Sequence, residues 1–290
     1  MSAISLLPSF VRELVCRRTL PREPEPDLIM ERDEQVEAYA AAARDGSAMS
    51  AVCLFNSAHI SLVLGGSETV VDLGCGPCTQ LAQFAELNPR VSFVGVDLSK
   101  TMLESARAHI DERGIRNISL MADDITRLSN IADNSVDAVM STMSLHHLRS
   151  FADLRSCFKQ IKRILKPSGA LYLLDFTRLK SLKTIIKVAY LEREFQPHIY
   201  LLDYERSLRA AFLYEELKTL ASEELPTNLE VISTFLVPLL GVVKSPDCKL
   251  TEAQIACLRA LRTGLPKRFR RDLDDLRRFF RLGGLADPFG

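Results

Sequence analysis

Residues 70–78 of this chain read Val-Val-Asp-Leu-Gly-Cys-Gly-Pro-Cys, an apolar run that carries one acidic residue and leads into two closely spaced glycines. This pattern is typical of the first strand of a doubly wound sheet, where ligands bind beyond the carboxyl ends of the strands. Gly74 and Gly76 permit a tight turn and leave room for a ligand beside the backbone. Twenty-one residues after Gly76, Asp97 ends the next apolar run, where a carboxylate can bind both hydroxyls of a ribose.

Apolar runs alternate with amphipathic segments from residue 69 to residue 176. Continuous apolar runs indicate strands that are covered on both faces, so we predict parallel strands at Thr69–Leu73, Val91–Asp97, Ile118–Met121, Val136–Ser141 and Ala170–Phe176. Ser99 and Gly114 predict the two ends of one intervening helix, and Pro167 the end of another. The run Leu229–Val243, with a turn near Pro238, predicts an antiparallel hairpin. We therefore predict an α/β fold with a seven-stranded, mostly parallel sheet.

The same pattern divides the chain into three predicted units. Residues 1–66 form an N-terminal helical leader or lid, with a loose, proline-rich start and helices that break near residues 45–47. Residues 67–247 form the sheet domain, and residues 177–228 form a helical cap inserted after the fifth strand. Residues 248–290 form a C-terminal helical tail, in which the charge-dense stretch Lys267–Arg278 has apolar residues at helical spacing.

Composition narrows the classes of function. Lys plus Arg equals Asp plus Glu at 37 each. The chain therefore lacks the basic excess expected of a protein that binds nucleic acid through its phosphates, and we expect no nucleic-acid partner. No apolar run is long enough to predict a transmembrane helix, and the start does not resemble a signal peptide. Seven scattered cysteines favour reduced thiols in the cytoplasm over a disulfide framework. The sequence leaves a homodimer open.

Five motifs in this order and spacing resemble those of class I S-adenosylmethionine-dependent methyltransferases, over roughly residues 67–177. They are Asp72–Gly76, Asp97–Ser99, Asp123–Ile125, Ser144–Leu148 and Leu165–Gly169. A later stretch, Ser207–Leu217, is similar to the cap of the small-molecule branch, which includes quinone-type, type 11-like enzymes. The resemblance implies a Rossmann-like domain that binds S-adenosylmethionine. A loop that binds a dinucleotide pyrophosphate needs a third small residue at position 79. S-adenosylmethionine has no phosphate, so Thr79 is compatible with this cofactor. Cys78 departs from the family, in which many members have glycine.

The resemblance also implies a role for each matching residue in cofactor binding. The methionine end is shaped by Asp72, Gly74, Cys75 and Gly76. Asp97 holds the ribose, and Leu98 lies beside the adenine. The adenine ring is bonded by Asp124 and Ile125, and Ser141 approaches the methionine group through its backbone.

The chemistry that follows is methyl transfer to an O, N or C atom of a small-molecule acceptor. His146 and His147, just past the fourth strand, are candidate general bases, with loop structure as the alternative role. Asp175, at the end of the fifth strand, is a third candidate catalytic residue that would contact the substrate. Candidate substrate-binding residues in the lid and the cap are Tyr39, Tyr204 and Arg209.

Other functions remain open from the sequence. The chain could bind the cofactor and regulate a partner without catalysis. Cys75-Gly76-Pro77-Cys78 also matches the dithiol motif of thioredoxins, although Gly74 replaces their usual aromatic residue. No paired carboxylates follow the fourth strand, which disfavours an aminopropyl transferase, and the Ser141–Ser144 stretch lacks the motif of base amine methylation. No second Cys or His pair has ligand spacing, so we predict no metal site.

Overall fold

The apolar runs form the strands of a seven-stranded sheet in the computed structural model, which describes residues 6–27, 33–43, 47, 49–191, 193–226 and 228–289. The strands are β1 Thr69–Leu73, β2 Ser92–Asp97, β3 Ile118–Ala122, β4 Val136–Thr142, β5 Leu165–Phe176, β6 Glu230–Ser233 and β7 Leu240–Lys244. Their order is β3-β2-β1-β4-β5-β7-β6, with β1 to β5 parallel and β7 antiparallel to both neighbours. The predicted α/β fold with a Rossmann-like, mostly parallel sheet is confirmed.

The largest difference from the predicted strands lies at the start of β5. This strand begins at Leu165, directly after a helix, because Leu165 pairs with Val136 before the register shifts at the next pair, Ala138 with Ala170. Gly169 makes this irregular start feasible, since a Cβ there would lie 2.6 Å from the Leu165 side chain. The predicted end of the preceding helix at Pro167 is therefore wrong by three residues: the helix ends at Ile164.

Helices connect and cover the strands. They are α1 Leu7–Val15, α2 Asp33–Ala43, α3 Ser50–Val63, α4 Thr79–Leu87, α5 Lys100–Arg113, α6 Phe151–Ile164, α7 Leu182–Ala189, α8 His198–Ala210, α9 Tyr214–Glu224, α10 Glu252–Gly264 and α11 Lys267–Leu282. The predicted caps of α5 are present, because the Ser99 hydroxyl accepts the Met102 N–H at 3.2 Å and Gly114 is left-handed. Asp45 and Gly46, in the predicted break before α3, lie outside the described residues.

The sheet separates two apolar layers. Apolar side chains of α3, α4 and α5 cover one face, and those of α6 and α9 cover the other. The α3 helix is buried nearly all round and belongs to the first layer, where the Tyr172 hydroxyl of β5 donates to Asn56 at 3.0 Å. The α11 helix packs outside α3 through Leu273 and Phe280.

These contacts cross the predicted unit boundaries. The α3 helix falls within the predicted lid yet forms core, and α9 falls within the predicted cap yet packs beside α6 through Leu217 and Leu220. Of the predicted cap, α7 and α8 pack on each other and on the leader helices α1 and α2, and α2 also contacts α4 and α5 of the first layer. The division into three units stays a prediction. Among the described residues, no helix is both long and apolar enough to cross a membrane.

Candidate functional site

The loop after β1 has the tight geometry that its glycines predict. Gly74 and Gly76 have φ of 73° and 53°, in the left-handed region, and the N–H groups of Gly74 and Cys75 donate to the Val96 carbonyl at 2.8 and 3.0 Å. A Cβ on Gly74 would overlap the Ser144 hydroxyl. The loop after β1 therefore lies against the chain that follows β4, so that no side chain larger than glycine fits at residue 74.

Asp97 is fixed at the end of β2 by two backbone donors. Its Oδ2 accepts the Gly76 N–H at 2.8 Å and its Oδ1 accepts the Ser99 N–H at 2.9 Å. Burial raises the pKa of Asp97, while those two hydrogen bonds oppose the shift. Each carboxylate oxygen keeps a second lone pair, so both can accept a further hydrogen bond from a bound diol.

Asp72 lies buried near Asp97 at the end of β1. Burial, reinforced by the charge of Asp97, raises the pKa of Asp72 to about 8. Among the described residues, its Oδ1 has no hydrogen-bond partner. A buried carboxylate oxygen without a partner is costly, and a nearby cation would offset that cost. Asp72 thus fits a ligand that carries an ammonium group.

Asp124 and Ile125 follow β3 in a loop that is partly shaped by Asp124 itself. The Asp124 Oδ1 accepts from the backbone and the hydroxyl of Thr126 at 2.8 and 2.7 Å. The Asp124 Oδ2 lies 3.8 Å from the Arg127 Nε. The Asp124 side chain remains partly exposed.

A first cavity of about 260 Å³ lies over the ends of β1, β2 and β3. Six of the nine predicted cofactor-binding residues line it: Gly74, Gly76, Asp97, Leu98, Asp124 and Ile125. Its other walls come from the leader, α2 and the chain after β4, and include Glu25, Tyr39, Met143, Ser144 and His147. The cavity thus combines glycine backbone, a fixed carboxylate and apolar side chains, which suits a nucleoside.

The remaining three predicted residues, Asp72, Cys75 and Ser141, lie outside the lining of this cavity. The Ser141 hydroxyl is buried and donates to the Leu73 carbonyl at 2.8 Å, which ties β4 to β1. The Cys75 side chain packs beneath the loop, since a Cβ on Gly95 would lie 2.9 Å from its Sγ. Both residues support the loop from below.

Cys75 and Cys78 are both buried free thiols. A hydrogen bond with Cys78, and then burial, raises the pKa of Cys75 well above its usual range, which suppresses the thiolate that disulfide exchange requires. Cys78 has φ of 57°, a conformation that glycine adopts more readily, in keeping with the glycine that many methyltransferases of this class have there.

Replacing both Cys75 and Cys78 with Ala is expected to leave ligand binding at the first cavity largely unchanged, because neither thiol lines it. The loss of two buried sulfur atoms should cost about 1 kcal/mol each in the free energy of unfolding. Calorimetry checks the binding, and an insulin-reduction assay of the unmodified chain should show no activity. Reductase activity that disappears in the double variant would contradict this expectation.

A second, larger cavity of about 370 Å³ adjoins the first. Most of its walls are apolar and come from the leader, α2, α3, the cap, the β6–β7 turn and α11; they include Leu6, Phe10, Val52, Phe176, Val188, Tyr200, Tyr204, Val237 and Phe279. Four residues line both cavities: Tyr39, Met143, His147 and Asp203. Met143 has φ of 55°, a strained conformation for a residue with a side chain. The two cavities therefore meet at these four residues.

His147 at this junction is held by a carboxylate from the leader. Its Nδ1 lies 2.7 Å from the Glu25 Oε2, and the Ser207 hydroxyl of α8 donates to Oε1 at 2.8 Å. Burial acts against both charges, but the hydrogen bond and mutual attraction prevail, so the pKa of Glu25 falls to about 2 and that of His147 rises. With Glu25 ionised, Nδ1 carries the proton, and Nε2 of neutral His147 is the free acceptor.

His146 and Asp175 form a second, more deeply buried pair. The His146 Nδ1 lies 2.6 Å from the Asp175 Oδ1, and the His146 backbone N–H donates to Oδ2 at 2.8 Å. The rings of His146 and His147 are 4.2 Å apart. His146 lines only the second cavity, whereas Asp175 lines neither. These contacts anchor the chain after β4 to the end of β5.

Arg22 fastens the leader over this part of the structure. Its guanidinium donates to the carbonyls of Ala210 and Arg149 at 2.6 Å, of His146 at 2.9 Å, and of Leu148. It also lies 3.9 Å from the centre of the Phe212 ring. This half-buried side chain thereby links the leader to the cap and to the histidine turn, which keeps Glu25 beside His147.

Glu25, His146 and His147 form a group that could bind a metal ion, because one ligand atom of each lies within 4.8 Å of the others. The sequence spacing does not predict this group, since Glu25 lies far away along the chain. Both imidazoles already bond carboxylates through Nδ1, so an ion would have to use Nε2 atoms or displace Glu25 from His147.

The three predicted substrate-binding residues occupy different places. Tyr39 lies at the junction of the cavities, and Tyr204 lines the second cavity with its ring 5.4 Å from that of Phe176. Arg209 lies outside the lining of both cavities, because Glu205 binds its Nε and Nη2 at 3.0 and 2.8 Å and Glu23 binds its Nη1 at 2.9 Å. The charge of Arg209 is therefore used within the protein.

Comparison with known proteins agrees with this geometry. Residues 70–169 match a protein family described as a methyltransferase domain. We call this matching segment, about a third of the chain, the methyltransferase domain. The predicted resemblance to class I methyltransferases is thereby confirmed for the part of the chain that carries the cofactor motifs.

Several curated proteins are similar to the methyltransferase domain. The chain is 34% identical to a demethylmenaquinone methyltransferase of Corynebacterium kroppenstedtii over 38% of its own length and 42% of that protein. It is 32% identical to a malonyl-[acyl-carrier protein] O-methyltransferase of Legionella pneumophila, over 35% of this chain and 34% of the relative. It is 25% identical to a tRNA (guanine-N(7)-)-methyltransferase of Mycoplasma mobile, over 37% and 55%. The chain thus spans only about a third to a half of these relatives.

Solved structures show the same fold around the methyltransferase domain. The plantazolicin methyltransferase BpumL, in complex with a monoazolic desmethylPZN analog and SAH, superposes with a TM-score of 0.55 at 13% identity, over 80% of this chain and 85% of that one. BamL, a second plantazolicin methyltransferase, gives 0.52 at 15% identity over 88% and 85%. At such low identity these likenesses establish the fold alone.

Proposed function

We propose that the chain binds S-adenosylmethionine in the first cavity and transfers its methyl group to a small molecule held in the second. The observation that carries this proposal is that the two cavities meet at Tyr39, Met143, His147 and Asp203. The nucleoside-sized site lies mostly on the methyltransferase domain, and the apolar site beside it is formed mostly by other parts of the chain, so that each reactant has a place.

The residues of the first cavity fit the cofactor group by group. Asp97 would bind the ribose hydroxyls through the lone pairs that its backbone donors leave free. Asp124 and Ile125 would bind the adenine, and the glycines would lie beside the methionine part. Asp72 does not line the cavity, but it is buried near Asp97 with an orphaned oxygen and would balance the ammonium group. When bound, the cofactor supplies an activated methyl group on sulfur, so the protein mainly has to orient the acceptor and exclude water.

His147 is the residue that we assign as general base for an acceptor with a proton to lose. Its Nε2 would take that proton while the Glu25 carboxylate stabilises the imidazolium that forms. Tyr39 and Met143 would confine the acceptor at the junction. His146 and Asp175 would hold the histidine turn in place. A proton-free nucleophile would need no base.

The acceptor that best fits the second cavity is a largely apolar small molecule. Aromatic and aliphatic side chains dominate the walls, and polar groups such as His147, Asp203 and Gln196 are available to orient a ligand. The balanced charge of the chain gives no support to a nucleic-acid acceptor. Free cysteines, two of them exposed, agree with a reducing compartment such as the cytoplasm.

Calorimetry and a turnover assay test this proposal in sequence. S-adenosylhomocysteine should bind the chain with one site, and a panel of apolar phenols, quinols and amines should include acceptors that release S-adenosylhomocysteine from S-adenosylmethionine. Binding without any release across the panel would favour a cofactor-binding regulator. Absence of binding in a folded sample would overturn the proposed cofactor.

Replacing Tyr204 with Phe is expected to raise the KM for the acceptor or lower kcat, because Tyr204 lines only the second cavity. The Kd for the cofactor should change less than about threefold. Arg209→Ala serves as a comparison on the same helix, since Arg209 lines neither cavity and should affect the acceptor less. Loss of cofactor binding in a folded Tyr204→Phe variant would contradict this division of roles.

A further inference from the structure

The first helix presents its apolar side to solvent. Four side chains at helical spacing on α1 are each more than half exposed: Leu7, Val11, Leu14 and Val15. The positions that face the protein include two polar residues, Ser9 and Glu13, both buried. This is the reverse of the usual surface helix, in which the apolar stripe faces the core.

Specific contacts hold α1 in this orientation. The Glu13 carboxylate accepts the N–H groups of Lys180 and Ser181 at 2.6 and 3.0 Å, where α7 begins. The Phe10 ring packs edge-on against Phe279 at 5.5 Å. A buried carboxylate that binds a helix N-terminus is a defined anchor, so the outward apolar stripe follows from how α1 is bound to the protein.

The neighbouring helix continues the pattern. α7 packs against α1, and its Leu182 and Ile186, one turn apart, are also exposed. We call these six exposed apolar residues of α1 and α7 the docking face. An exposed apolar group of this size on a domain that buries its core well indicates an interaction surface.

The exposed charges within the two helical segments that form the docking face are positive. Arg12, Arg17 and Arg18 lie in or just after α1, and Lys180, Lys183 and Lys187 lie in or just before α7. Between residues 6 and 22 the single acidic residue is the buried Glu13, and residues 178–191 have none. In a chain with zero net charge, this is a local concentration of cations next to exposed apolar side chains.

We propose that the docking face binds the surface of an anionic lipid bilayer. Apolar side chains of short helices enter the interface between head groups and acyl chains, while Lys and Arg are attracted to anionic head groups. The charge pattern favours this occupant over a second copy of the chain, since two identical basic faces would repel each other.

The position of the second cavity suggests how an apolar acceptor could reach it from a membrane. Leu6 and Phe10, at the start of the leader, and Val188 and Ala189 of α7 line that cavity behind the docking face. An apolar acceptor dissolved in the bilayer could therefore enter between the two elements that contact the membrane. This extension rests on the proposed methyl transfer, whereas docking itself does not.

Sedimentation with lipid vesicles tests the docking. The chain is expected to bind vesicles that contain phosphatidylglycerol at least about tenfold more tightly than vesicles of phosphatidylcholine alone, and to lose that preference in high salt. Two double variants, Val11→Ser with Leu14→Ser and Lys183→Gln with Lys187→Gln, should each weaken binding at least about tenfold. These side chains are exposed, so the variants should remain folded.

Matched controls lie elsewhere on the surface. Lys159→Gln with Lys218→Gln, on α6 and α9, removes two exposed cations, and Leu282→Ser removes an exposed apolar group; neither should change vesicle binding. Equal binding to both vesicle types, or no effect of the docking-face variants, would overturn the proposal. So would a dimer in light scattering that only those variants dissociate. Calorimetry with S-adenosylhomocysteine on the same proteins reports on cofactor binding separately.

Discussion

Replacing His147 with Gln is expected to lower kcat at least about a hundredfold for an acceptor that must lose a proton, while the Kd for S-adenosylhomocysteine stays nearly constant. His147 lines both cavities, and its Nδ1 is bound to Glu25. Nε2 is therefore the nitrogen that can take a proton from the acceptor. Glutamine keeps much of the shape but cannot accept the proton. Single-turnover rates and calorimetry on the same samples check the two halves of this expectation.

The pH dependence of kcat gives a sharper test of the pair. The base works when neutral, so kcat should rise with pH and level off above the pKa of His147, which lies above its ordinary value. Glu25→Gln removes the main charge that raises this pKa, so the rising limb should shift to lower pH and the plateau should fall. Among the described residues, the other charged or titratable groups around His147 include His146, Asp175, Asp97, Tyr39, Asp203 and Arg206, and they remain in this variant.

Glu23→Gln is the matched control for Glu25→Gln. It removes the same charge from the same leader, but Glu23 is exposed and binds Arg209 at the surface. Its pH profile should follow that of the unmodified chain. An unchanged pH profile in Glu25→Gln, or full activity in His147→Gln with a phenolic acceptor, would show that His147 is not the general base. Activity that requires added divalent metal and disappears with a chelator would instead assign Glu25, His146 and His147 to an ion.

Replacing Asp97 with Ala is expected to weaken cofactor binding at least about tenfold, or about 1.4 kcal/mol. The change removes the proposed ribose acceptor and also the carboxylate that accepts from Gly76 and Ser99. Asp97→Asn should have a smaller effect on the loop, since one amide oxygen can still accept, yet it should still weaken ribose binding. Calorimetric titration with S-adenosylhomocysteine measures both.

Binding of adenosine alone distinguishes the role of Asp97 from that of Asp72. Adenosine carries the ribose and the adenine but no methionine, so its affinity should fall in both Asp97 variants and remain in Asp72→Asn. Asp72 is buried and is assigned to the ammonium group, so Asp72→Asn should weaken only ligands that carry that group. Unchanged affinity of Asp97→Ala for S-adenosylhomocysteine would contradict the assignment of the ribose site.

Most of the sheet could be predicted because local pattern determines it. Buried parallel strands read as continuous apolar runs, and left-handed turns require glycine, so β1, Gly74, Gly76 and Asp97 are visible in the sequence itself. The α3 helix, by contrast, falls in the predicted lid, yet twelve of its fourteen residues are buried and it lies in the core.

The junction could not be predicted in the same way. Glu25 lies 122 positions before its partner His147, and Arg22 reaches carbonyls up to 188 positions away. Such contacts depend on where the leader packs, and the leader is a loose, proline-rich segment with no periodicity to place it. Arg209 shows the opposite difficulty, because its cap motif suggests a ligand whereas Glu205 and Glu23 bind its charge.

A crystal structure of the chain with S-adenosylhomocysteine tests the central claim most directly, namely that two reactants meet at His147. We predict that the ribose hydroxyls lie within hydrogen-bond distance of Asp97 and that the adenine lies beside Leu98 and Ile125. The sulfur should face the junction lined by Tyr39, Met143 and His147. A ligand bound outside the first cavity, or one whose sulfur points away from the second cavity, would contradict it.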